Sequence, residues 1–125
     1  MTASRNINSV HDLVGEAVDV VCFVADYVEL RFAGPVLRLL LHPVTVVHDG
    51  REAAFPAPGS RDALCSLIDS AVAQVVVSDS SLVLEFSDHA RLVARIDEAD
   101  PRGPESIQFV PWENGRLNVA AMEVW

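Results

Sequence analysis

Two stretches of this chain carry the same pattern of side chains. Leu13-Val14-Gly15-Glu16-Ala17-Val18 finds its counterpart in Leu67-Ile68-Asp69-Ser70-Ala71-Val72, and the correspondence runs on without a gap. Val21 falls on Val75, Val28 on Leu82, Leu30 on Leu84 and Phe32 on Phe86. One inserted residue then brings Leu37-Arg38-Leu39 onto Leu92-Val93-Ala94. An internal repeat constrains a fold more than any single motif, because each copy must form the same local unit and bury its apolar face against something. Here each copy reads as a lead-in turn or helix, a β-branched strand, a polar turn, an alternating strand and a third strand. The expectation is two matching sheet units related by a pseudo-two-fold axis.

The strands follow from period-two alternation. In Tyr27-Val28-Glu29-Leu30-Arg31-Phe32, the residues Val28, Leu30 and Phe32 share one face, while Tyr27, Glu29 and Arg31 share the other. Ser81-Leu82-Val83-Leu84-Glu85-Phe86 repeats the arrangement with Leu82, Leu84 and Phe86 inward. Ala25-Asp26, Ala33-Gly34-Pro35, Ser78-Asp79-Ser80 and Ser87-Asp88-His89 are turns too short for parallel crossovers, so the strands are antiparallel hairpins. Val36 to Leu41 is too apolar for a half-exposed strand and is covered on both faces or forms an interface. His48-Asp49-Gly50 is a turn, and Phe55-Pro56-Ala57-Pro58-Gly59 can be neither helix nor central strand.

Ser60 then reads as an N-cap for a helix over 61–69, whose Leu64, Leu67, Ile68 and Ala71 have helical spacing. Ser9 with Asp12 marks a shorter capped turn before the first copy. Residues 97–105 are a loop, and two more strands, 106–110 and a broken 117–125, close the fold. The fold class is mainly β (α+β with a minor helix): an antiparallel β roll or barrel-like sheet of two repeated three-strand units joined by one short helix. Residues 1–125 form one domain, with copies at about 13–42 and 67–97 and C-terminal strands in 106–125.

The paired openings, the two Leu-x-Leu/Phe strand pairs, Pro104-Glu105-Ser106 and the terminal Glu123-Val124-Trp125 together resemble a family of small actinobacterial proteins catalogued as a domain of unknown function. The resemblance covers most of the chain from Leu13 onward. Two positions depart from the pattern: Ile107 stands where an aromatic residue is expected, and Ala120-Ala121-Met122 replaces a Gly-rich turn. The resemblance implies an intracellular β-rich fold and carries over no catalytic residues.

Charge narrows the functions available. Eighteen acidic residues against nine basic ones, all arginine, give a formal net charge of −9. A chain with no basic cluster has little with which to neutralise phosphates, so neither nucleic acid nor an anionic membrane surface is an expected partner. A basic protein would be steered towards it. The commoner role of such charge is to keep a small, half-hydrophobic domain soluble. No apolar run reaches the ~18 residues of a membrane helix, and the polar start, Met1 to Asn8, lacks a signal-type apolar region. A cytoplasmic location is expected.

Chemistry-bearing motifs are scarce. There is no nucleophile elbow, P-loop or dinucleotide fingerprint, and no Cys-x-x-Cys. His42 and His48 could share a strand face but for Pro43, and His48-Asp49-Gly50 reads more readily as a turn than as a base or ligand pair. His11 belongs to the capped turn and His89 to a hairpin tip. Asp97-Glu98-Ala99-Asp100 lacks the glycine and bidentate glutamate of a calcium loop. Cys22, among valines, and Cys65, on the apolar side of the helix, read as reduced core thiols. No catalytic residue, metal or cofactor is expected.

The candidate interaction residues are Tyr27, Arg31, Glu85, Trp112 and Trp125. Tyr27, Trp112 and Trp125 could form an exposed aromatic anchor patch, or the tryptophans could plug the open end of the fold. Arg31 and Glu85 hold matching positions and would form a cross-strand ion pair if the symmetry set their strands side by side. The first functional expectation is a non-enzymatic, acidic protein-interaction module that binds a protein partner or itself through a strand edge or apolar face. Its narrowest form is an immunity- or antitoxin-like inhibitor. The alternative is a small-molecule-binding β barrel or roll with weak enzymatic activity, which requires a deep pocket between the repeat sheets. A homodimer joined along the Leu39-Leu40-Leu41 strand is a third arrangement.

Overall fold

A computed structural model describes residues 5–41, 43–96 and 106–125. The loop expected over 97–105 and the residue His42 lie outside that set. A 3₁₀ turn, Val10–Leu13, precedes β1 (Val20–Val24), β2 (Tyr27–Arg31), β3 (Val36–Leu39), β4 (Val44–His48) and β5 (Arg51–Phe55). The helix α1 (Ser60–Cys65) then leads into β6 (Val72–Val77), β7 (Ser81–Phe86), β8 (Arg91–Arg95) and β9 (Ile107–Val110). Short pieces complete the chain: β10 (Trp112–Glu113), β11 (Arg116–Leu117), a 3₁₀ turn at Val119–Ala121, and β12 (Glu123–Val124). The fold is mainly β and antiparallel, with one α-helix among the described residues.

The two halves are paired in the same register. Phe23 opposite Val28 and Val21 opposite Leu30 correspond to Val77 opposite Leu82 and Val75 opposite Leu84. In the next ladder, Leu30 opposite Leu37 and Val28 opposite Leu39 correspond to Leu84 opposite Leu92 and Leu82 opposite Ala94. The lead-ins meet at the axis that relates the halves. Ala17 bridges Ala71; the Gly15 N–H donates to the Val72 carbonyl at 2.8 Å, and its mate, the Asp69 N–H, donates to Val18 at 2.8 Å. Gly15 and Asp69 accordingly both have positive φ, 91° and 73°.

Beyond the three-strand units the chain departs from the expected architecture. β4 and β5 do not extend the sheet of β1–β3; they cross to the other one, while β9 and β12 cross the opposite way. The result is two five-stranded sheets, β1-β2-β3-β9-β12 and β5-β4-β8-β7-β6, each a meander from one half completed by strands from the other. Each has two edge strands, so neither closes into a barrel. Exchange of this kind ties the halves together, since neither can complete its sheet alone.

Inward residues from both sheets form one cluster that includes Leu30, Leu37, Phe109, Leu84, Leu92 and Phe55, each no more than 1% exposed. Burying such side chains is worth about 1.5–3 kcal/mol each. On the open side between β1 and β5, Phe23 stacks on Phe55 with centroids 5.7 Å apart, and the Arg61 guanidinium from α1 lies over both rings. On the other side, Glu123 of β12 accepts from the Val10 N–H at 2.7 Å and ties the first 3₁₀ turn down. That turn has the expected capping box between Ser9 and Asp12.

Several local expectations need correction. The α-helix ends at Cys65, and its N-cap is Gly59 in the left-handed conformation; Ser60 is the first helical residue and donates instead to the Ala57 carbonyl. Only Leu64 and Leu67 turn inward, so Ile68 is 39% exposed and Cys65 is on the surface. Cys22 is partly exposed because its strand is an edge. β3 is central, with β2 on one side and β9 on the other, so it offers no free edge at Leu39 for a second copy to pair with.

Candidate interaction surface

The outward faces of the two sheets differ although their pairing matches. Across the first sheet one row runs Cys22, Glu29, Arg38, Gln108 and Val124. The same row of the second runs Val76, Val83, Val93, Thr45 and Ala54. One is a polar network and the other a β-branched stripe.

In the polar row Glu29 is only 6% exposed, although alternation puts it on the solvent side. Two arginines cover it. Arg31 Nε donates to Glu29 Oε1 at 2.8 Å, Arg38 Nε lies 3.5 Å from Oε2, and Arg38 also donates to Gln108 at 3.3 Å. The hydrogen bond to Glu29, reinforced by its charge, raises the Arg31 pKa above the ordinary guanidinium value. Arg31 therefore finds its ion pair two residues away on its own strand. Glu85 lies in β7 of the other sheet, opposite Gln74 and Arg91. The expected Arg31–Glu85 pair does not form, because the symmetry axis places equivalent strands in different sheets.

Nor are the aromatic candidates brought together. Tyr27 opens β2, while Trp125 follows β12 at the far edge of that sheet, with β3 and β9 between them. Trp112 lies over Gly34, at the opposite end of β2 from Tyr27. Both tryptophans are partly buried and pack against the core.

Two of the open grooves bear on the expected residues. One, about 500 Å³, runs along the outer face of the first sheet between Trp112 and Leu117 on one side and Val20, Arg31, Val36 and Arg38 on the other. The second, about 770 Å³, lies between the β4–β5 hairpin and α1, and His48, Arg51 and Glu52 line it. His48 Nε2 is 4.0 Å from Asp49 Oδ2, and both side chains are well exposed. Among the described residues no three His, Cys, Asp or Glu side chains are grouped to hold a metal. No helix among them is long and apolar enough to cross a membrane.

The strand edges separate more sharply. Edge strands invite pairing with other chains, and proteins blunt them with charge, bulges, brevity or a cover. β5 opens with Arg51-Glu52, and α1 packs against it and also against β1. β6 has a register shift between Val72 and Gln74, and β12 is two residues long. β1, Val20-Val21-Cys22-Phe23-Val24, has five residues, no charge and no proline, and its register step, where the Arg31 carbonyl accepts from the Asp19 N–H although Val20 is the residue paired with Arg31, falls at its start. Val20 and Val24 are 38% and 36% exposed, and Val21 and Phe23 pack against the core, so the strand is held firmly while its edge faces out. β-Branched composition marks β1 as a strand but cannot show that it is an edge, which depends on pairings made far along the chain.

No family model matches this chain, and neither the curated proteins nor the solved structures give a match.

Proposed function

We propose that this chain is an acidic, non-enzymatic protein-interaction module of the cytoplasm whose β1 edge accepts an added strand. The observation that carries the reading is β1 itself, an edge strand of five residues with no charge and no proline, on which no further strand pairs among the described residues. Strand addition draws affinity from main-chain hydrogen bonds and specificity from alternate side chains. β1 supplies Val20, Cys22 and Val24 on its outward face for the second purpose. Further support comes from the filled interior: the apolar side chains between the sheets pack on one another, and the grooves lie at the periphery. An inhibitor covering a basic toxin is the narrower form of this reading, and net charge is its support. The alternative, a small-ligand protein, draws on the groove beside His48, whose volume falls within the range of ligand sites.

The test is affinity capture from the cells that make the protein, comparing wild type with V20K/V24K at low and moderate salt. Lysine on an exposed edge is a natural block to pairing. A stoichiometric partner, including an untagged copy of the chain, should be retained by the wild type and lost from the variant. Equal retention by both would contradict placement of the site at β1.

A further inference from the structure

We infer that the strand added at β1 is β1 of a second copy of this chain, paired antiparallel about a two-fold axis at Cys22; this rests on the strand-edge reading above. The argument lies in the register. Turning Val20-Val21-Cys22-Phe23-Val24 about its centre sets Val20 opposite Val24 of the other copy, Val21 opposite Phe23, and Cys22 opposite Cys22. A two-fold contact requires such self-complementarity. β-Branched and aromatic cross-strand pairs are among the favourable ones, and every pair here is of that kind or a cysteine pair. The nearest acids in the sequence, Asp19 and Asp26, fall outside the five paired positions, so no like charges are directly opposed within the ladder.

Burial supports the same geometry. Val21 and Phe23 already pack on the core, and Arg61 over Phe23 closes the inner side. Val20 and Val24 stay exposed on the outer side. Pairing would cover the outer valines of both copies and join the two five-stranded sheets into one ten-stranded sheet across the axis. Each molecule carries a net charge of −9, so association should strengthen as salt screens the repulsion. A basic partner at the same edge would show the opposite dependence.

The experiment combines sedimentation with thiol crosslinking on the full chain carrying Cys65→Ser, which leaves Cys22 as the one thiol. The expected particle has twice the 13.6 kDa of a single chain. Diamide should link two copies through Cys22, taking up the two electrons and two protons released as the S–S bond forms. V20K/V24K sets lysine against lysine and should sediment as a single chain. V20E/V24K sets glutamate against lysine at the same pairs and should restore the dimer, which a variant that had merely lost its fold could not do. If the chain stays single at all salts while affinity capture finds a different protein at β1, the second copy is overturned and the strand-edge reading stands. A dimer indifferent to both variants, without the Cys22 link, would overturn the β1 interface and the strand-edge reading with it.

Discussion

Gly34→Ala is expected to lower the free energy of unfolding by about 3 kcal/mol, combining backbone strain with overpacking. Gly34 has φ of 130°, where a side chain is strained whatever the available space. A Cβ placed there would also lie 2.6 Å from Cγ and Cδ2 of Trp112. Trp112 has little freedom to retreat, because its backbone exchanges hydrogen bonds with Ile7 at 2.8 and 3.0 Å and its ring packs on the core. Its indole Nε1 is buried and finds no acceptor among the described residues, so the ring's position is set by packing rather than by a polar anchor. Urea unfolding followed by tryptophan fluorescence measures the loss. Trp112→Ala should then cost less in the Gly34→Ala background than in the wild type, since removing the ring removes the clash. A loss below about 0.5 kcal/mol, within the range of a neutral surface change, would mean that the ring does not lie where described.

Leu84→Ala should be as damaging, costing roughly 2–5 kcal/mol, the range for deleting a buried leucine into a cavity. Leu84 is fully buried in β7, a strand paired on both sides, opposite Val75 and Leu92. Leu30 is its mate in β2, equally buried and opposite Val21 and Leu37. Because the environments match, Leu30→Ala should fall within about 1 kcal/mol of Leu84→Ala, well inside the spread seen between unrelated leucine sites. Denaturant midpoints for the two variants decide it. A large loss at one position and almost none at the other would show that the halves are packed differently despite their common register.

The sequence made some of this legible and hid the rest for physical reasons. Alternation locates β2 and β7, and the short turns beside them force antiparallel hairpins, because a chain reversal of two or three residues admits nothing else. The Pro-rich segment before α1 and the Ser9–Asp12 cap are local signals and were readable as such. Crossing of β4 and β9 between sheets is not local. Val44 and Val46 point inward whichever sheet they join, so alternation is blind to the choice. The same blindness underlies the expected Arg31–Glu85 pair, since equivalence along the sequence is not adjacency in space. Glu29 shows a third limit: period two assigns its face correctly, but burial comes from Arg31 and Arg38 folding over it. For the interaction surface, the composition of β1 was visible and its status as an edge was not.

Residue-resolved amide hydrogen exchange on the dilute single chain tests the central claim most directly. If β1 is an open edge, alternate amides of Val20–Val24 bond to β2 and exchange slowly, while those between them exchange almost as fast as in a loop. The central strands β3 and β8 should be protected throughout. Uniform slow exchange along β1, matching β3, would mean that the edge is already covered and would contradict the account.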